Sequence, residues 1–153
     1  MSLTALARTV FVAAALALTV AGCSTGGGLS SGLTARMDEG GARLNTSEAI
    51  GIINSYRSTV GVGPLVEDPA LSATASTMAA SYAKTGRQQS KPDGTIEIRY
   101  SAGYATFAET FSGWRNSGQD SQVMSGRTAT RAGIAVVYEP TSPYGVYWVV
   151  IVG

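Results

Sequence analysis

Residues 133–152 read GIAVVYEPTSPYGVYWVVIV. Two apolar runs rich in β-branched and aromatic residues, Gly133–Tyr138 and Gly145–Val152, flank the short segment Pro140–Tyr144. Runs of this composition favour strands, and the turn residues between them make an antiparallel hairpin. The nearly continuous apolar stretch Val146–Ile151 reads as a central strand covered on both faces. Upstream, Thr106–Trp114 has helical character and Thr95–Tyr100 alternates like a short strand. Residues 87–94 (RQQSKPDG) form a polar loop with a Pro-Asp-Gly turn signal. Asp68 caps a helix that has Pro69 in its first turn and Gly86 as its stop. Its apolar stripe is Leu71, Ala75, Met78, Ala79 and Tyr82. An earlier helix starts with Thr46 or Ser47 as cap and carries Ala49, Ile52, Ile53 and Tyr56 on one face. Gly61 and Gly63-Pro64 break it, and Leu65 is a short extended link. Asn116–Thr130 reads as loop with at most one helical turn. Helices first and a hairpin last make the class α+β, with helices packed on a small antiparallel sheet.

The chain has 153 residues, a length suited to one domain. A formal charge of +1 argues against a nucleic-acid partner. There is no His and one Cys. A Ser–His or Cys–His nucleophile pair is therefore excluded, as is a His-ligated metal, and an internal disulfide needs a second Cys. Chemistry here is left to carboxylates, hydroxyls, Lys and Tyr, and no cofactor is expected.

Residues 1–22 read as a secretory leader. Arg8 precedes Thr9–Val20 (TVFVAAALALTV), whose 12 residues are too few for a bilayer span. The leader ends in Val20-Ala21-Gly22-Cys23, which resembles a bacterial lipobox. That resemblance implies a diacylglyceryl group on Cys23, with two or three acyl chains giving stable attachment. Ser24, rather than Asp, after the Cys implies outer-membrane delivery. Residues 23–43, rich in Gly, Ser and Thr, read as a flexible tether, and residues 44–153 as the domain.

Within that domain, Asn54-Ser55-Tyr56-Arg57, Gly61, Pro64-Leu65, Asp68-Pro69, Leu71 and Ala75 resemble the opening helices of the CAP superfamily (cysteine-rich secretory, antigen 5 and pathogenesis-related proteins), in its short bacterial branch. Ser101-Ala102-Gly103-Tyr104, Ala108-Glu109, Trp114-Arg115-Asn116-Ser117, Gly133-Ile134-Ala135 and Tyr147-Trp148-Val149 continue the match to the end of the chain. The resemblance implies a three-layer α–β–α sandwich around a small antiparallel sheet.

It also implies a cleft where many members hold a divalent metal with His and Glu. In this chain those positions fall on Ser90, Ile98 and Asp120, with a further Glu position near Ser117. A one-residue slip brings Glu97 into the cleft instead. The expected site is therefore degenerate, without zinc, because Glu97 and Asp120 alone offer too few oxygens even for calcium or magnesium. Glu97 with Asp120 is also a candidate acid–base pair, against the plainer reading of two solvated carboxylates. Ser90 and Ser117 lack a His base, and Lys84 and Lys91 lack Ser–Lys spacing. Tyr100, Tyr104 and Trp114 are candidate cleft-lining residues, with core packing as the alternative for each. The resulting expectation is a membrane-anchored, non-catalytic module of the bacterial envelope binding lipid, peptidoglycan or an envelope protein. The rivals are a carboxylate-based hydrolase of envelope polymers or proteins and a purely structural envelope protein.

Overall fold

The computed structural model describes residues 30–153; the leader and Cys23 lie outside the described residues. Its elements run α1 (Ser31–Thr34), α2 (Thr46–Thr59), β1 (Val66–Glu67), α3 (Pro69–Thr85), β2 (Glu97–Ala102), α4 (Phe107–Asn116), α5 (Gly118–Ser125), β3 (Arg131–Tyr138) and β4 (Val146–Val152). The sheet has the order β1-β3-β4-β2. β4 is antiparallel to both neighbours, with Val150 opposite Ile134 on β3 and Arg99 on β2. The sheet is mixed rather than purely antiparallel, because the two-residue β1 pairs parallel with β3.

β4 builds the sandwich by simple alternation. Val146, Trp148, Val150 and Val152 join one core with Ile50 and Ile53 of α2, Phe107, Phe111 and Trp114 of α4 and Val123 and Met124 of α5. Val149 and Ile151 point the other way, into a second core with Leu71, Ala75, Met78 and Ala79 of α3. Every residue of β4 is buried, as expected for a strand with helices on both faces. At Gly133 the sheet and α3 come so close that an added Cβ would stand 2.2 Å from the Leu71 carbonyl carbon and the Ser72 nitrogen.

The local signals explain the helices. The Asp68 side chain accepts from Ala70 N and Leu71 N, Pro69 takes the first turn, and Gly86 closes α3 in the left-handed region at φ 67°. Thr106 and Glu109 form a reciprocal capping box on α4. At α2 the cap is Asn45, whose side chain accepts from Glu48 N, instead of Thr46 or Ser47. Those two hydroxyls instead donate to the Glu67 carboxylate of β1.

Two stretches differ from the sequence reading. Residues 30–43 are not a free tether: Ser31–Thr34 is helical, Met37 is 3% exposed in the main core, and its N–H donates to Ala105 O at 2.8 Å. Within Asn116–Thr130, residues 118–125 form the two-turn helix α5 rather than loop.

Two side chains on α2 lock the inter-element loops. Asn54 imitates a strand partner for Leu65: it donates to Leu65 O at 2.9 Å and accepts from Leu65 N at 2.7 Å. Arg57 is 1% exposed and donates to four carbonyls, of Gly63 (2.6 Å), Met124 (2.9 Å), Gly126 (3.1 Å) and Ala129 (3.1 Å). Burial lowers its pKa, a cost offset by satisfying carbonyls that otherwise lack partners. Arg57 thereby fixes the C-terminal end of α5, whose other end enters the site described next.

Candidate functional site

β2 is an edge strand, so its two backbone faces meet different partners. The Gly103 N–Val146 O bond (2.9 Å) sets the odd-numbered backbone groups toward β4 and the even-numbered ones toward the open edge. On that edge Ile98 O accepts from Arg99 Nη1 at 2.6 Å and Tyr100 O from Trp114 Nε1 at 3.2 Å. Side chains thus occupy carbonyls that an added strand would need.

Beside this edge lies an open groove of about 770 Å³. One wall is the loop after α3, with Gln88, Gln89, Ser90 and Lys91. The floor is Glu97–Tyr100 of β2, and the other wall is Gln119, Asp120, Gln122 and Val123 of α5. Gln89 and Ser90 also border a smaller depression with Thr74, Thr77, Met78 and Pro92, so the concave surface continues toward α3.

Tyr100 positions the loop wall. Its hydroxyl accepts from Gln89 N and donates to Gln89 O, both at 3.1 Å. Burial raises its pKa. Its ring is edge-on to Tyr82 of α3, with centroids 5.4 Å apart, so loop, strand and helix share one support.

Arg99 governs the charge. Its Nε is 2.8 Å from Asp120 Oδ1, and its Nη1 is 3.2 Å from Glu97 Oε2. The two carboxylates considered for acid–base work therefore flank one guanidinium, which ties α5 to β2.

The structure brings Ser90, Glu97, Ile98, Tyr100 and Asp120 together around the groove and leaves out Ser117, Tyr104 and Trp114. Ser117 is the residue between α4 and α5, with its N–H on Gly113 O. Trp114 is 2% exposed in the main core. Tyr104 lies over Gly113 and accepts through its carbonyl from Trp148 Nε1 at 2.9 Å. The sequence reading missed Arg99 and the four glutamines. An Arg alternating with Glu97 on a strand was the available signal for Arg99.

The donor set does not fit the divalent metal that the family resemblance implies. The corresponding positions offer a hydroxyl (Ser90), an apolar side chain (Ile98) and one carboxylate (Asp120), already paired with Arg99. Among the described residues no three of His, Cys, Asp and Glu come together.

The fold has known counterparts. An outer surface protein from Borrelia burgdorferi superposes with a TM-score of 0.57 at 14% identity, over 73% of this chain and 97% of its own. An extracellular SCP-domain protein from Bacillus anthracis gives 0.58 at 15% identity, over 71% of this chain and 40% of its own. A cysteine-rich secretory protein from Staphylococcus aureus gives 0.53 at 13%, over 71% and 39%. No curated protein matches the chain in sequence. The family model described as CAP, the cysteine-rich secretory protein family, matches residues 50–152, from inside α2 to the end of β4. The chain belongs to the CAP family, and its α–β–α sandwich is the fold of that family.

Proposed function

We propose that this protein is a lipid-anchored CAP domain of the bacterial envelope that binds peptidoglycan fragments in the β2–α5 groove without cleaving them. The observation that carries the binding reading is the lining of the groove. Four amide side chains and Ser90 present donors and acceptors, and the two acids, Glu97 and Asp120, are balanced in charge by Arg99 and Lys91. Such a surface exchanges hydrogen bonds with a sugar–peptide polymer and offers little to an acyl chain. A hydrolase would have to work with the same two acids, each salt-bridged to Arg99.

Anchoring rests on Val20-Ala21-Gly22-Cys23. The Borrelia counterpart is itself described as an outer surface protein. Seven residues lead from Cys23 to Ser30, at most about 25 Å of extended chain, so the anchor would hold the domain near the bilayer.

Calorimetry of the purified full chain against soluble peptidoglycan fragments tests the binding half. Saturable binding with unchanged fragments afterwards is expected; absence of binding, or turnover of the polymer, overturns it. For the anchor, Cys23→Ser should move the protein from the membrane fraction to the soluble fraction, and an unchanged distribution would refute it.

A further inference from the structure

The unpaired donors of the groove point to one chemical group within such a ligand. Glu97 and Asp120 are spent on Nη1 and Nε of Arg99. Arg99 also lines the groove, and its Nη2 makes no hydrogen bond to the described residues. Across the groove Lys91 lies on the loop wall, with one of its three N–H donors on Thr95 O at 2.9 Å. Unspent donors of Arg99 and Lys91 thus remain on two sides of the space, while one oxygen of each acid in the lining is held by Arg99. The flanking side chains of Gln88, Gln119 and Gln122 form no hydrogen bonds among the described residues and are exposed.

We infer that Arg99 takes the place of a metal ion in this cleft and, with Lys91, forms a metal-independent receptor for a carboxylate flanked by amides, the group at the free end of a short peptide. Arg99 Nη2 and the Lys91 ammonium can each give a carboxylate a charge-assisted bond, about twice as strong as a neutral one. Glu97 and Asp120 act as positioning residues: they hold Nη1 and Nε of Arg99, so little side-chain entropy is lost on binding. The glutamines suit the peptide amides beside the carboxylate. The inference rests on the peptidoglycan reading and names the part of the fragment that is held.

The test compares two muropeptides identical except at the terminus, one a free carboxylate and one a carboxamide, titrated calorimetrically into the full chain with chelator present. The free acid should bind at least about tenfold more tightly, with no change when zinc replaces chelator. Lys91→Gln lies on an exposed loop and should reduce the preference for the acid at an unchanged melting temperature. Arg99→Gln should abolish that preference. Equal affinity for both termini overturns the receptor while leaving peptidoglycan binding intact. A requirement for zinc also overturns it. If neither muropeptide binds, the peptidoglycan reading falls and the receptor falls with it.

Discussion

Arg99 on β2 and Asp120 on α5 meet at 2.8 Å, 21 positions apart in the chain. About a quarter of each side chain is exposed, so the pair is only partly screened by solvent. Its role is to set the distance between floor and wall of the groove. Asp120→Asn should cost about 1 kcal/mol of stability, near the upper end for partly exposed pairs. A double-mutant cycle with Arg99→Gln, read by urea denaturation, should give a coupling energy of similar size. A coupling near zero would mean that α5 is positioned without this contact.

Arg57 supports the same helix from the other end, through Met124 O at 2.9 Å and Gly126 O at 3.1 Å. Arg57→Met removes the donor and leaves buried carbonyls unpaired. At about 1–3 kcal/mol for each unsatisfied buried group, a loss of about 3 kcal/mol or more is expected in equilibrium denaturation. Hydrogen exchange should show the largest loss of protection in α5 and the segment leading to β3.

Gly133 is required by proximity rather than by backbone angle. A methyl group there would meet the α3 backbone at Leu71 and Ser72, which cannot yield as a flexible side chain can. Gly133→Ala should therefore destabilise by about 3 kcal/mol, toward the high end for overpacking. Gly51 has no atom within 4 Å of an added Cβ, so Gly51→Ala on α2 should raise stability by about 0.5–1 kcal/mol. Paired melting curves of the two variants check both signs.

Acid sensitivity follows from two carboxylates held below their ordinary range. The Ser47 and then the Thr46 hydroxyl lower the Glu67 pKa, and hydrogen bonds from the Thr106 backbone and then its hydroxyl lower that of Glu109. A lowered folded-state pKa adds stability that is fully present above the unfolded value of about 4.5 and is lost as pH falls through the lower folded value. Glu109 is exposed and Glu67 half-buried, so the effect is partly screened and modest. Glu109→Gln keeps an acceptor for the Thr106 donors and should flatten part of the decline below that pH in a denaturation series.

The sequence showed the frame more clearly than the site. Asp68-Pro69 and Gly86 bound α3 because each acts through its own backbone chemistry, independent of the rest of the fold. β4 was readable because a strand covered twice must be apolar throughout. α5 was not, since in GQDSQVMS only Val123 and Met124 are buried, leaving no helical stripe to detect. Residues 30–43 looked like linker because they lack aromatics and an apolar period. Their docking depends on Met37, with Leu33 and Ala35 beside it, entering a core that other elements build. At the groove, the family resemblance pointed to Ser90, Glu97 and Asp120, but pairing is a property of distance. Only the fold shows that both acids meet Arg99. Asn54 and Arg57 carried the family resemblance, and the structure gives their reason: each satisfies backbone groups of a loop that α2 must hold.

The central claim is that the β2–α5 groove is a ligand site complete without a metal. It is tested most directly by amide chemical-shift mapping of the full chain, titrated with soluble peptidoglycan fragments in the presence of chelator. Saturable shifts should gather at Gln89, Ser90, Lys91, Arg99, Gln119 and Asp120, with the far ends of α2 and β3 unmoved. Shifts scattered over the surface, shifts that appear only after zinc is added, or no shifts at all would contradict the account.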